Sequence, residues 1–172
     1  MYELILEKTA DGNESGKEVI SLAKHLIQKN HQHLMDANIS LLWRDREWKR
    51  GDGYTILGKA SKRNEIDKLL SNRHEDFIII LVKPSWEKKK AEENEALLDH
   101  ELCHCGVFIG NDGSKKWILR GHPIEEFPEN LARYEFKRKA LGELIQNPPS
   151  PIVVKQEKSR KLRPQETEED DE

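Results

Sequence analysis

The chain of 172 residues contains only two cysteines, Cys103 and Cys105. A spacing of two residues is too short for an ordinary disulfide, so the sequence excludes the cysteine framework of a small secreted protein. We therefore expect the protein to occupy a reducing compartment.

Long apolar runs are also missing from the sequence. No stretch approaches the ~18 apolar residues that a membrane span needs, and the first residues, MYELILEKTADGNESGKE, have no apolar core of signal-peptide length. The formal charge of −3 does not by itself indicate a nucleic-acid partner. These absences predict a soluble cytoplasmic protein with no membrane association.

The apolar residues that are present lie mainly between about residues 39 and 144, which predicts one folded domain over residues 1–146. Residues 147–172 combine clustered prolines, a basic stretch and an acidic end with few apolar residues. This composition is typical of disorder, so we predict a disordered, proline-rich and charged tail there.

Within the predicted domain, hydrophobic spacing indicates helices and strands in a mixed order. Strands are predicted at residues 39–44, 54–60 and 76–84, with WKRGDGY as a hairpin loop and a further hairpin around the NDG turn at 111–113. Helices are predicted from residue 16 to 30 with an extension towards 33, from Trp86 to a C-terminal Gly106, and from about 122 to 146. Pro128 is expected to interrupt or restart the last of these.

The segment LLDHELCHCGVFIG, residues 97–110, carries the strongest chemical signal in the chain. Its HELCH core places His100 and His104 four residues apart on the predicted helix, so both imidazoles project from one face and can reach one zinc ion. Glu101 lies next to His100 and points about 100° away on the helical wheel. This is the position of a carboxylate that accepts a proton from zinc-bound water.

Catalytic zinc normally takes three protein ligands, so a third must come from further along the chain. His122 is the best candidate, and Glu125 or Glu126 are the alternatives, because a glutamate on a following helix is the other common choice. Tyr134 and Arg120 are candidates for stabilising an oxyanion.

Other interpretations of the same residues remain open. The CHC stretch at 103–105 could form a structural zinc knot with His100 or His122, or the histidines could be a solvated helix face. The HQH stretch at 31–33 could bind a second metal, although an exposed helix cap is the favoured interpretation. The aromatic and basic residues of WRDREWKRGDGY could contact DNA, although a strand end and an exposed loop are favoured.

With HELCH and the downstream GHPIEEF, the chain resembles the putative phage metallopeptidase family of the zincin superfamily, which is related to SprT-like and other small gluzincin-type domains. The resemblance covers about residues 39–136, including LGKA, DFIIIL and LLDHELCHC. It implies that His100 and His104 bind zinc, that Glu101 is the catalytic acid/base, and that His122 is the third ligand.

The fold implied by the resemblance is α+β and zincin-like. It comprises an N-terminal helix, a small and mainly antiparallel sheet of three to four strands, the HExxH helix and a C-terminal helix. The element order predicted from the residues is the same.

The leading functional hypothesis is a Zn²⁺-dependent peptidase that is encoded by a phage and cleaves a protein or peptide in the cytoplasm of a bacterial host. The alternative is a non-catalytic, metal-stabilised module that binds DNA or a host regulator. A third hypothesis is a protease that cuts one specific repressor.

Overall fold

A computed structural model describes residues 1–6, 16–71, 74–122 and 128–154, and confirms the predicted mixed α+β class. The first half contains β1 (Tyr2–Leu4), α1 (Lys17–Asn30), a 3-10 turn (Gln32–Leu34), β2 (Ile39–Arg44), β3 (Trp48–Lys49), β4 (Thr55–Ile56), β5 (Gly58–Lys62) and α2 (Glu65–Ser71). The second half contains β6 (Phe77–Val82), α3 (Lys83–Lys88), α4 (Ala91–Cys103), β7 (Cys105–Ile109), β8 (Lys115–Leu119), α5 (Pro128–Arg133), α6 (Glu135–Gln146) and β9 (Ile152–Val154).

The central sheet has four strands in the order β1-β2-β6-β5. Strand β1 is antiparallel to β2, and β5 is antiparallel to β6, whereas β2 and β6 run parallel from Ile39 opposite Phe77 to Arg44 opposite Val82. The apolar run of β6 suits this central position, since a strand flanked by two others and covered by helices must bury its side chains. The expected three to four strands, mainly antiparallel, are therefore present.

Helices α1 and α4 contribute to one hydrophobic core with the sheet. The core includes Leu26 of α1, Leu98 and Leu102 of α4, and Phe77 and Ile79 of β6. Both α4 leucines are 0% exposed, and each such side chain contributes about 1.5–3 kcal/mol through removal of apolar surface from water. The last turn of α4 is thus anchored to the centre of the fold.

A second sheet follows α4, with three strands in the order β8-β7-β9. Strands β7 and β8 form the expected hairpin, and Gly113 adopts a positive φ of 77° in its turn. Strand β9 adds to β7 in parallel, with Val107 opposite Ile152. The predicted disordered tail begins at residue 147, yet Ile152–Val154 pair with β7. Residues 147–151 are also described, whereas residues 155–172 lie outside the described residues, so disorder of the tail stays a prediction.

The single helix predicted from Trp86 to Gly106 is also wrong, because α3 ends at Lys88 and α4 begins at Ala91. Lys89 is extended, and the Glu93 carboxylate accepts a hydrogen bond from the Lys90 backbone N–H at 3.0 Å, which caps a new helix start. Gly106 lies within β7 instead of ending the helix. An added Cβ there would lie 2.7 Å from Arg120 Cδ, so glycine leaves room for the Arg120 side chain.

In the predicted C-terminal helix, α5 begins at Pro128, the expected point of interruption or restart. A further interruption lies at Tyr134, which has an extended backbone between α5 and α6. The predicted beginning of this helix at residues 123–127 lies outside the described residues. Within the described ranges, no helix combines the length and the apolar character that crossing a membrane would require.

Candidate metal centre

The last turn of α4 carries the HELCH residues on two different sides. His100 is exposed and His104 is half-buried, whereas Glu101 is only 4% exposed. The two imidazole centroids are 5.0 Å apart, as expected for side chains one helical turn apart. The predicted shared face of the two histidines is therefore present.

His122 joins these two histidines from the segment after β8. The β7–β8 hairpin returns the chain to the end of α4, and His122 Nε2 then lies 3.2 Å from His100 Nε2. The His122 ring centroid is 4.6 Å from that of His104. One ligand atom from each of the three histidines lies within 4.8 Å of the others, so this three-histidine cluster could hold a metal ion.

The orientation of His104 is fixed by the backbone of Arg120. The carbonyl oxygen of Arg120 lies 2.7 Å from His104 Nδ1, and because a carbonyl can only accept, Nδ1 must carry the proton. In return, the Arg120 N–H donates to the His104 carbonyl at 2.7 Å. A neutral His104 thus presents an unprotonated Nε2, which is the form that binds a metal.

The electrostatics of the three-histidine cluster favour the neutral form of His100. Partial burial lowers the pKa of His100, and the neighbouring His104 and His122 lower it further, while Asp99 opposes the change. Protonation of His100 beside two other imidazoles is disfavoured, so its ring lone pair is available to a cation.

Glu101 points towards the sheet, where β5 accommodates its carboxyl group. The carboxylate accepts a hydrogen bond from the Ala60 backbone N–H, and a Cβ added at Gly58 would lie 2.7 Å from Glu101 Oε1. Burial raises the pKa of Glu101, and the effect exceeds the opposing influences of His104 and the Ala60 bond. A raised pKa and a nearby imidazole are properties expected of a proton-transferring carboxyl group.

A cavity of about 370 Å³ lies against the three-histidine cluster. One wall comes from the segment before β9, through Pro148, Pro149 and Pro151. The Arg120 guanidinium holds this wall in place by donating to the Cys103 carbonyl at 3.1 Å and to the Pro149 carbonyl at 3.2 Å. This contribution was not predicted from the sequence, although the β-branched residues of PIVV are typical of a strand.

The two histidines of HQH do not form the exposed helix cap that the sequence favours. His31 is 5% exposed, and its Nε2 lies 2.9 Å from Asp99 Oδ1 on α4. His33 Nε2 lies 3.0 Å from the Cys105 carbonyl oxygen, so it donates there. The sequence could not reveal these contacts, because each partner lies about 70 residues away along the chain.

The cysteines of CHC do not share the three-histidine cluster. Cys105 is fully buried, its Sγ donates to the Glu101 carbonyl at 3.7 Å, and burial raises the pKa of its thiol to about 12. Cys103 is exposed and lies with His31 and Asp99 instead. Nothing in this geometry favours a zinc knot built from both cysteines.

Of the two residues proposed to stabilise an oxyanion, one lies at the cavity. Arg120 lines the cavity, whereas the Tyr134 ring packs beside Phe136 at 5.9 Å. Glu125 and Glu126, the alternative third ligands, lie outside the described residues.

Some aromatic and basic residues of WRDREWKRGDGY contact other side chains, whereas Arg46, Lys49, Arg50 and Tyr54 are exposed. Trp43 is 8% exposed and packs against Trp86, with ring centroids 5.6 Å apart. The Arg44 guanidinium lies over the Trp48 ring at 4.8 Å. Neither arrangement supports the DNA association that the sequence left open.

Comparison with known families places the chain in one of them. A family model described as putative phage metallopeptidase matches residues 13–147, which include both ends of the three-histidine cluster. The chain belongs to this family. Membership of the phage metallopeptidase family indicates a metal-dependent peptidase, and therefore protein or peptide substrates. No curated protein and no solved structure matches the chain.

Proposed function

We propose that the protein is a zincin-type metallopeptidase in which His100, His104 and His122 hold Zn²⁺ and Glu101 is the general base. The observation that carries this proposal is the convergence of three imidazoles, with one ligand atom from each within 4.8 Å of the others. The arrangement of α1, the four-stranded sheet, α4 and α6 is compatible with the zincin fold.

The donor set fits zinc better than a harder cation. Zinc in proteins binds imidazole nitrogen readily, whereas magnesium and calcium prefer oxygen ligands. Three protein ligands leave a fourth position for water or substrate, and the cavity beside the cluster provides space for it. When bound, such a zinc ion lowers the pKa of a coordinated water to about 7 and polarises a carbonyl group.

Side chains of the protein carry out the proton transfers. Glu101 accepts a proton from the attacking water and delivers it to the amine that leaves. Its burial raises its pKa, so the carboxyl group holds the proton more readily between these two transfers. The Ala60 N–H and the gap at Gly58 keep the carboxyl group in one place, and the Arg120 carbonyl keeps His104 in its ligating tautomer.

The proposal is tested by Glu101→Gln, which removes the base and preserves the shape of the side chain. Zinc-loaded wild-type protein and the variant are incubated with a combinatorial peptide library, and new peptide ends are identified by mass spectrometry. We expect the wild type to generate ends that the variant does not, at equal zinc content, because general-base catalysis contributes about 10²- to 10⁴-fold.

A matched control is Glu92→Gln, at an exposed position in the first turn of the same helix. This variant should cleave like the wild type. Equal cleavage by the wild type and Glu101→Gln would overturn the assigned role of Glu101, and a zinc-loaded wild type without any cleavage would favour a non-catalytic metal-stabilised module.

A further inference from the structure

A second group of metal-binding side chains lies beside the three-histidine cluster. His31, Asp99 and Cys103 each place one ligand atom within 4.8 Å of the others. None of these residues belongs to the proposed zinc centre, so we refer to the three as the His31 group.

The helical geometry of the His31 group parallels that of the three-histidine cluster. Asp99 and Cys103 are four residues apart on α4, as are His100 and His104, and the first pair precedes the second by one position. One residue corresponds to a rotation of about 100° around the helix, so the two pairs form neighbouring stripes. The third member of the His31 group comes from another element, the end of α1, just as His122 comes from the segment after β8.

Contacts around the Asp99 carboxylate hold it in position for this role. Asp99 Oδ1 accepts hydrogen bonds from His31 Nε2–H at 2.9 Å and from Asn30 Nδ2 at 3.0 Å. A cation held by both His31 and Asp99 would take the place of the first bond. The His31 backbone N–H donates to the Ile27 carbonyl at 3.1 Å, which fixes the backbone of His31 at the end of α1. Carboxylates that ligate metals are commonly held by such additional hydrogen bonds.

The His31–Asp99 ion pair does not explain why Cys103 lies beside these two residues. A buried histidine paired with an aspartate needs no thiol, yet the thiol of Cys103 lies within reach of both. Cys103 and His31 also line the same cavity of about 370 Å³ as the three histidines, so a cation can reach the group from solvent.

We propose that His31, Asp99 and Cys103 form a second cation site, separate from the three-histidine centre, for a divalent ion of the zinc class. Imidazole nitrogen, carboxylate oxygen and thiolate sulfur together select zinc or cobalt over magnesium or calcium. Binding releases the Cys103 thiol proton to solvent as the metal–sulfur bond forms. The site does not depend on catalysis at Glu101.

Titration of metal-free protein with Co²⁺ tests the site directly, because a thiolate bound to cobalt gives a near-ultraviolet charge-transfer band that imidazole ligands do not give. We expect the wild type to show this band and to bind two metal equivalents. Cys103→Ala should abolish the band and reduce the stoichiometry to one, and the exposed position of Cys103 makes this variant compatible with folding.

Variants of neighbouring residues separate the His31 group from the three-histidine cluster and from the second cysteine. Cys105→Ala and His33→Ala should keep the band, whereas His31→Ala should weaken or abolish it. His104→Ala should retain the band while losing the other equivalent, so failure of the zinc centre is distinguishable from failure of this site. A wild type without the band, or a band that survives Cys103→Ala, overturns the proposal and leaves His31 and Asp99 as a structural pair.

Discussion

The last turn of α4 has one face that packs into the core and one face that lies beside a cavity. On the buried face, Leu98 and Leu102 are 0% exposed and Glu101 packs against β5. On the open face, His100 and His104 meet His122 beside a cavity. One helical turn therefore both packs into the core and carries candidate metal ligands. The candidate base, Glu101, lies on the face that packs into the core.

The largest expected effect comes from the open face. His104→Ala removes one ligand of the three-histidine cluster, and we expect zinc affinity at that centre to fall by more than about 100-fold. Loss of a hydrogen bond that only orients a ligand already lowers metal affinity by about 10- to 100-fold. The free energy of unfolding of the metal-free protein should change little. Competition with a chromophoric chelator measures the affinity, with His25→Ala on the exposed side of α1 as the control.

The buried face should respond in the opposite manner. Leu98→Ala leaves a cavity in the core, and we expect the free energy of unfolding to fall by about 2–5 kcal/mol. The folded fraction should still bind zinc, because no ligand is altered. Urea denaturation measures the change, and Leu69→Ala, at a position 83% exposed, should cost no more than about 0.5 kcal/mol. If Leu98→Ala lost zinc binding but kept its free energy of unfolding, the separate roles of the two faces would be contradicted.

Gly58→Ala tests whether the buried face positions the base. The new Cβ would lie 2.7 Å from Glu101 Oε1, so the carboxyl group must shift. A displacement of about 1 Å can reduce catalysis by about 100-fold, and we expect a loss of cleavage of up to that size with unchanged zinc content. Gly51→Ala is the matched control, because no atom lies within 4 Å of a Cβ at that position. Equal activity of both variants would show that β5 does not position Glu101.

The smallest expected effect is the pH dependence that Glu101 confers on the metal-free protein. Burial raises the pKa of Glu101 above its ordinary value of 4.5, so its protonated form is favoured by folding. Its contribution to stability is therefore complete below that ordinary value and is lost as the pH rises through the folded pKa. Glu101→Gln should be more stable than the wild type at about pH 8, and the difference should shrink towards about pH 4. A difference independent of pH would contradict this.

The parts of the molecule that the sequence predicted are those with local signals. The six-residue strand β2 has the predicted bounds, β6 lies within the predicted strand, and the end of α1 at Asn30 also agrees, because periodic apolar residues determine these elements. The spacing within HELCH likewise gave the shared face of His100 and His104.

The parts that the sequence could not predict depend on distant contacts. The burial of His31 requires Asp99, and the strand at Ile152–Val154 requires an open edge of β7. The break between α3 and α4 has a local cause, the cap formed by Glu93. The residues around Glu93 have high helix propensity, so the sequence predicted one continuous helix instead. The assignment of His122 as a ligand remains a prediction, although the structure brings its ring to the other two.

A crystal structure of the zinc-loaded protein, with anomalous diffraction recorded at the zinc absorption edge, tests the central claim most directly. We predict an anomalous peak at about 2.0–2.1 Å from Nε2 of His100, His104 and His122 together. A zinc-loaded crystal with no peak within bonding distance of these three nitrogens, even if zinc were bound at the His31 group, would contradict the account.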